Sequence, residues 1–514
     1  MNGAESLIRT AAAAGIEVCF SNPGTTEMQL MAGLDAVSGM RGVLGLFEGV
    51  CTGAADGYGR MSDKPALTLL HLGPGFANGI ANLHNARRAR SPVVNLIGDH
   101  ATWHVDADPP LASDIESLAR PVSSWVRTAK TADDLARDGA EAIAAALRSP
   151  GTVATLIVPS DVAWGEASGP VATAGREALP SVESSRIEAV AHALQSGEPT
   201  LLLLGARGLR APALRTAARI AGRVPTRLFC ETFPARMERG AGFPALERLP
   251  YFPEQVVALL NSVAHLILVG VTEPVAFFGY PEIPSRLAPQ ACQVHTLARP
   301  EEDVPLTLEA LAERLGADRG PAQVGERVSP QAPEGELSPV TLGAAIARVQ
   351  PEGLIVMDEA ATSGLPYFLG AAACSPHTYL SLTGGAIGQG LPCATGAAIA
   401  CPDRPVLAFQ ADGSGMYTLQ ALWTQAREGL DVTTVICANR LYRILRIELD
   451  RAGIAQPGPQ SLALTDISNP AIDWVGLGQA LGVPSQRVET GEALRRGLEQ
   501  AFGEPGPHLL EVVL

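Results

Sequence analysis

A chain of 514 residues, 46% of them hydrophobic, is long enough for about three domains, each with its own core. Its formal net charge of −15, from 53 acidic against 38 basic side chains, argues against nucleic acid and anionic membrane surfaces as partners. No apolar run reaches the roughly 18 residues that span a bilayer, and Met1-Asn2-Gly3-Ala4-Glu5 lacks the basic and apolar regions of a secretory leader. The eight cysteines are scattered without Cys-x-x-Cys pairs and read as reduced thiols of a cytoplasmic protein.

Two stretches rich in Gly and Pro, Gly165–Pro180 and Gly316–Pro339, read as boundaries. They divide the chain into an α/β domain over 1–165, a middle α/β domain over 181–316 and a third over 338–514. In the first, Val43-Leu44-Gly45-Leu46-Phe47 reads as a buried strand with Glu48 at its end, ahead of a helix start built from small residues, Gly49 to Ala55. A carboxyl group between apolar segments loses hydration, which disfavours its ionised form, so such a residue is functional or costly. The plainer reading is an acid meeting the positive end of a helix dipole. Ala66–Leu70 is a further strand leading into His71-Leu72-Gly73-Pro74-Gly75. A histidine there is as readily a hydrogen-bonded structural group as a proton relay near neutral pH. Pro92–Ile97 supplies another strand, followed by Gly98-Asp99-His100, where Asp99 and His100 are pocket candidates and His104 reads as surface. Arg87, Arg88 and Arg90 read as a solvated face or a subunit contact, and Val153–Val158 is the strand that closes this domain.

The middle domain has strand-like Leu201–Leu204 and Leu266–Val269, and Gly205-Ala206-Arg207-Gly208 is too short a turn to carry a nucleotide assignment. In the last third, the strand Leu354–Met357 precedes Asp358-Glu359-Ala360-Ala361-Thr362-Ser363, and a glycine-rich loop runs from Gly384 to Pro392. A dinucleotide turn is that loop's rival reading, but no ribose-binding acid follows a strand-Gly-x-Gly-x-x-Gly-helix pattern. Pro405–Phe409, Met416–Glu428 and Val432–Cys437 then read as strand, crossover helix and strand. In a right-handed unit of this kind the loops carrying Asp412 and Asn439 leave the same, carboxyl edge of the sheet, so one carboxylate and one amide oxygen converge. That is a partial cage for Mg²⁺, with the Leu441 carbonyl as a third protein ligand and phosphate oxygens and water completing the octahedron. Gly413 and Ser414 offer an N–H and a hydroxyl to phosphate at the helix start. Asp-Gly-Ser taken alone is more often only a turn.

Ala411-Asp412-Gly413-Ser414 with Ala438-Asn439 resembles the signature of thiamine diphosphate (ThDP) enzymes of the acetolactate synthase and benzoylformate decarboxylase family, Gly-Asp-Gly followed two dozen or so residues later by Asn-Asn. The two departures, Ala411 and Ala438, are not at metal-ligand positions. The resemblance runs over nearly the whole chain, specific in the outer thirds and loose in the middle. It implies three doubly wound parallel-sheet α/β domains: pyrimidine-binding, middle and diphosphate-binding. It also implies catalytic Glu48, meeting the aminopyrimidine, and catalytic His71, which matches an active-site histidine of the decarboxylase where acetolactate synthases have Thr-Ser-Gly-Pro-Gly. Cofactor contacts fall to Ala361, Thr362, Gly385, Ile387, Gly413, Ser414 and Tyr442, with Ile387 as the wedge that bends the coenzyme. The substrate pocket falls to Thr25, Asp99, His100, Phe277, Phe278, Ile444 and Leu445, although Ile444 and Leu445 equally suit core packing. Val275-Ala276-Phe277-Phe278 stands where the decarboxylase has a second histidine, so that proton donor is absent.

The implied activity is ThDP- and Mg²⁺-dependent decarboxylation of a 2-oxo acid, with carboligation to a second carbonyl acceptor in the acetolactate synthase manner, or simple decarboxylation as the alternative. FAD, which related synthases carry in the middle domain, is not expected. A homodimer or homotetramer with sites at the subunit interface follows from the resemblance. The competing class is a flavin or nicotinamide oxidoreductase built from doubly wound domains.

Overall fold

The computed structural model describes residues 1–320 and 322–514; Pro321, within the predicted second boundary, lies outside the described residues. The chain forms two compact units, one of Met1–Arg176, Gln331–Phe368 and Leu382–Leu514, the other of Glu177–Pro330 and Leu369–Ser381.

Strands β1 (Val18–Asn22), β2 (Arg41–Leu44), β3 (Ala66–His71), β4 (Val93–Asp99), β5 (Trp125–Thr128) and β6 (Val153–Pro159) form a parallel sheet in the order β2-β1-β3-β4-β6-β5. Its central strands are nearly continuous apolar runs because helices cover both faces, and Leu67, Leu69, Val94, Leu96 and Leu156 are buried. The register pairs Asn22 with Leu70 and His71 with Gly98, so the carboxyl ends of β1, β3 and β4 finish level. Here one expectation is corrected. Strand β2 stops at Leu44, and Glu48 opens the Glu48–Ser62 helix rather than closing a strand, because the extended Phe47 turns the chain and its carbonyl already accepts from Val50 and Cys51.

In the second unit, β7 (Thr200–Leu204), β8 (Arg227–Cys230), β10 (Glu247–Arg248), β11 (His265–Val269) and β12 (Gln293–Ala298) form a parallel sheet ordered β10-β8-β7-β11-β12, while β9 (Met237–Arg239) lies outside it. The third parallel set, back in the first unit, is β13 (Ile355–Glu359), then β15 (Val406–Ala411), β16 (Val432–Ala438), β17 (Ser485–Val488) and β18 (His508–Val513), ordered β17-β18-β16-β15-β13. The intervening β14 (His377–Ser381) belongs to the second unit and pairs antiparallel with β9. The chain thus has three α/β sheet domains, as the motifs imply. The crossover helix differs from expectation: it starts at Gln420, not Met416, since Asp412–Gly415 forms its own short helical turn and Thr418 is tied by its hydroxyl to the Gly388 carbonyl.

Within the first unit the Glu48–Ser62 helix lies on the Gly390–Ala400 helix so closely that a Cβ at Gly57 would stand 2.0 Å from the Cys393 carbonyl oxygen. Arg60 and Asp56 form a fully buried ion pair at 2.8 Å beside this contact. Asp56 also accepts from Ser91 and Gln389, and Arg60 donates to Thr383, so the desolvated charges are compensated. All eight cysteines are free thiols. Among the described residues no helix is long and apolar enough to cross a membrane.

Candidate active site

Three non-glycine residues in the left-handed region, Leu72 (φ 51°), Ala361 (φ 50°) and Arg440 (φ 55°), follow directly or within two residues the ends of β3, β13 and β16. Backbone strain of this kind persists where the surroundings over-determine it, and it concentrates at functional edges.

At the first of these edges, Glu48 is buried, and its two carboxylate oxygens accept from the amides of Asn22 at 3.1 Å and Asn78 at 3.0 Å. A methyl group at Gly75 would sit 3.0 Å from Glu48 Oε1 and 3.3 Å from His71 Cβ, so the acid and the imidazole flank one glycine. His71 Nδ1 is 2.8 Å from Glu27 Oε2, and the Gly24 turn lies against the ring. Thr25 is exposed at this turn. Asp99 and His100 follow at the end of β4, half-buried. Burial raises the Asp99 carboxyl above its usual range, opposed by the His100 amide at 2.7 Å. His100 Nε2 is a buried nitrogen without a hydrogen-bond partner. His104 is exposed, as expected.

At the second edge, Asp412 is buried and its oxygens accept from the amides of Gly413 at 2.8 Å and Arg440 at 2.7 Å. The Asp412 and Asn439 loops therefore meet, as the topology predicts. The left-handed turn at Arg440 is what aims its N–H back across the sheet edge. Burial pushes the Asp412 carboxyl up, with the backbone amides and the charge of Arg440 opposing it. Asn439 Oδ1 accepts from the Leu441 amide at 3.0 Å, and the Leu441 carbonyl accepts from Arg443. A desolvated carboxylate, with an amide oxygen and a carbonyl in one loop system, is a set of hard oxygen donors suited to Mg²⁺. Tyr442 lies on Gly413, where an added Cβ would come 2.5 Å from the ring. Ser414 bonds the Ala411 carbonyl and the Gln410 amide. Ile444 is half-buried and Leu445 exposed on the Arg443–Arg451 helix, which has no buried residue, so neither serves as core.

Beside this edge the glycine-rich loop is held by groups that sequence reading missed. Asn85 brackets Ala386, donating to its carbonyl at 2.7 Å and accepting from its amide at 3.2 Å. His84 reaches the Gly384 carbonyl at 3.1 Å. Glu359 accepts from the Gly388 amide at 2.5 Å and from the Gly390 amide. Complete burial raises the Glu359 carboxyl to about 7 against these donors. Gly385 is exposed at φ 78° and Ile387 half-buried, while Ala361 is exposed and Thr362 half-buried after β13. Asn22, Asn78 and Asn85 carry no motif of their own. Glu27, in Gly24-Thr25-Thr26-Glu27, and the paired acids Asp358-Glu359 at a strand end were visible signals.

Phe277 and Phe278 belong to the second unit, where Phe277 packs against Phe233, Tyr251 and Phe278 with ring centroids 4.9–5.6 Å apart. Among the described residues no hydrogen bond links the Glu48–His71 pair to the Asp412–Asn439 loops.

The family described as "Thiamine pyrophosphate enzyme, N-terminal TPP binding domain" matches residues 1–118, and "Thiamine pyrophosphate enzyme, C-terminal TPP binding domain" matches 366–512. A Mycobacterium tuberculosis relative named "Putative acetolactate synthase large subunit IlvX" is 51% identical, covering 100% of this chain and 99% of its own length. Benzoylformate decarboxylase of Pseudomonas aeruginosa is 29% identical over 97% of this chain and 96% of its own. The solved structure of the Rhodococcus jostii ThDP-dependent 4-hydroxybenzoylformate decarboxylase superposes with a TM-score of 0.85 at 25% identity, covering 99% of this chain and 98% of that one.

Proposed function

The chain belongs to the thiamine pyrophosphate enzymes of the acetolactate synthase and benzoylformate decarboxylase family, and from that premise we propose that it decarboxylates a 2-oxo acid with ThDP held through Mg²⁺. The observation that carries the metal and cofactor half of this reading is Asp412, a buried carboxylate at the Asn439 loop whose hydrogen bonds come from backbone amides. Asp412, Asn439 and the Leu441 carbonyl hold the metal; Gly413, Ser414, Ala361 and Thr362 receive the diphosphate, and Tyr442 shields it. Gly385 and Ile387 hold the pyrimidine on the loop that Glu359 and Asn85 keep rigid. When bound, ThDP supplies a carbon nucleophile and then an electron sink as CO₂ leaves. Glu48, held by Asn22 and Asn78, exchanges a proton with the pyrimidine ring, and His71 moves a proton at the substrate. Thr25, Asp99, His100, Ile444 and Leu445 surround the substrate.

The two edges belong to one site only when two copies associate, Glu48 of one meeting the cofactor on the other, so the working form is a homodimer or homotetramer. FAD has no part in this reading. A second reading, carboligation to another carbonyl compound, draws on Val275–Phe278, which offers no proton donor beside two exposed aromatic rings. Incubation with pyruvate, longer 2-oxo acids and benzoylformate, with ThDP and Mg²⁺, separates the outcomes. Aldehyde supports simple decarboxylation and hydroxy ketone supports ligation. Turnover unaffected by omitting ThDP and chelating Mg²⁺ would overturn both.

A further inference from the structure

Glu27 is completely buried at the end of the 24–27 turn, yet it is answered by no lysine or arginine among the described residues. Its oxygens accept instead from the Gly24 amide at 2.7 Å and the Thr26 hydroxyl at 2.6 Å, and Oε2 lies 2.8 Å from His71 Nδ1. Both oxygens already act as acceptors, and an acceptor facing an imidazole nitrogen pairs with its protonated form. We infer that Glu27 is the positioning residue of His71: it fixes the ring with Nδ1–H on the carboxylate and leaves Nε2 as the nitrogen that exchanges protons with substrate. This rests on the reading of His71 as the proton-moving group.

Packing leaves the pair little freedom. A Cβ at Gly98 would stand 1.9 Å from Glu27 Oε1, and one at Gly24 would stand 2.3 Å from His71 Nδ1, so the end of β4 and the turn close on the pair from two sides. The His71 side chain nevertheless keeps 25% of its surface exposed, and Nε2 makes no hydrogen bond among the described residues. The other ionisable groups around it are Glu48, across Gly75, and Asp99, one residue beyond Gly98 on β4. Neither hydrogen-bonds the ring. The orienting contact is therefore the Glu27 carboxylate, with the Thr26 hydroxyl at 3.3 Å as the second, weaker neighbour of Nδ1.

The test uses the full-length protein with ThDP and Mg²⁺. Nitrogen-15 spectra of histidine-labelled protein should give, for neutral His71, a protonated Nδ1 and an unprotonated Nε2. Glu27→Gln should lower kcat by about tenfold or more with KM little changed, as loss of a group that orients a general acid or base does. Glu27→Asp, which keeps the charge but withdraws it by one methylene, should fall in the same direction and serves if the glutamine variant does not fold. In a His71→Ala background neither substitution should cost anything further, because Glu27 acts through the ring. An Nε2-protonated neutral ring, or a full additional loss in the His71→Ala background, would overturn the inference. Absence of any 2-oxo acid turnover by the unmodified protein would defeat the functional reading instead, while the nitrogen spectrum still decides the tautomer.

Discussion

The two carboxylate-bearing edges of the first unit use the same physics to opposite ends. At the Glu48–His71 edge the oxygens of Glu48 and Glu27 are met by side-chain or turn donors: Asn22 and Asn78 on Glu48, Gly24, Thr26 and His71 on Glu27. At the Asp412 edge the hydrogen-bond donors are backbone amides of the acid's own loops, Gly413 and Arg440. Side-chain donors orient an acid for proton exchange. Backbone donors alone leave oxygen lone pairs for a cation. In the proposed reading, partner type rather than burial separates the proton-handling carboxylate from the metal-binding one, since both are buried.

This contrast can be broken most directly at Glu48. Glu48→Gln keeps the shape and the Asn22 contact but cannot carry the proton, so kcat for any accepted 2-oxo acid should fall by about a hundredfold or more, with ThDP binding by calorimetry nearly unchanged. Full activity would end the proton-handling assignment. The metal edge should respond in the other quantity. Asp412→Ala should weaken ThDP binding by roughly ten- to a hundredfold in a Mg²⁺ titration, the scale on which groups that support a metal act. Unchanged cofactor affinity would show that Asp412 is only a turn residue.

Glu359 sharpens the comparison because it is a buried acid with backbone donors that binds neither metal nor proton relay in this reading. Its folded value of about 7 lies above its ordinary 4.5, so its stabilising contribution is complete below 4.5 and is lost as pH rises through about 7. Chemical denaturation across that window should show stability falling with pH in the natural protein and a shallower fall in Glu359→Gln. Identical slopes would mean the carboxyl is ionised throughout. The smallest effect is expected in the second unit, where Phe278→Ala should leave ThDP affinity within about twofold, since substitution of an exposed side chain contributes little. A large loss of cofactor binding would tie that unit to the diphosphate machinery.

Much of the architecture was legible in local patterns. Strand runs such as Ala66–Leu70, Leu201–Leu204 and Val432–Cys437 recur in the structure almost residue for residue, because strands buried on both faces of parallel sheets must be continuously apolar. The meeting of the Asp412 and Asn439 loops was also legible, since the handedness of a strand-helix-strand unit sends both to one edge. The Glu48 position and the start of the crossover helix were less so. Phe47 sets the first through its own turn, its carbonyl accepting from Val50 and Cys51, and Thr418 sets the second through a bond to the distant Gly388 carbonyl; both override apolar periodicity.

By itself, then, the order of residues determined the three α/β sheets and the identity of the acids at their edges, because periodicity and chain handedness are local properties. Only the folded arrangement decided which of those acids has which partner. Asn78 reaches Glu48 from 30 residues away, Glu27 and His71 are 44 apart, and Asn85 grips a loop some 301 positions later. Such contacts are chosen by how helices and strands pack, and no spacing along the chain encodes them.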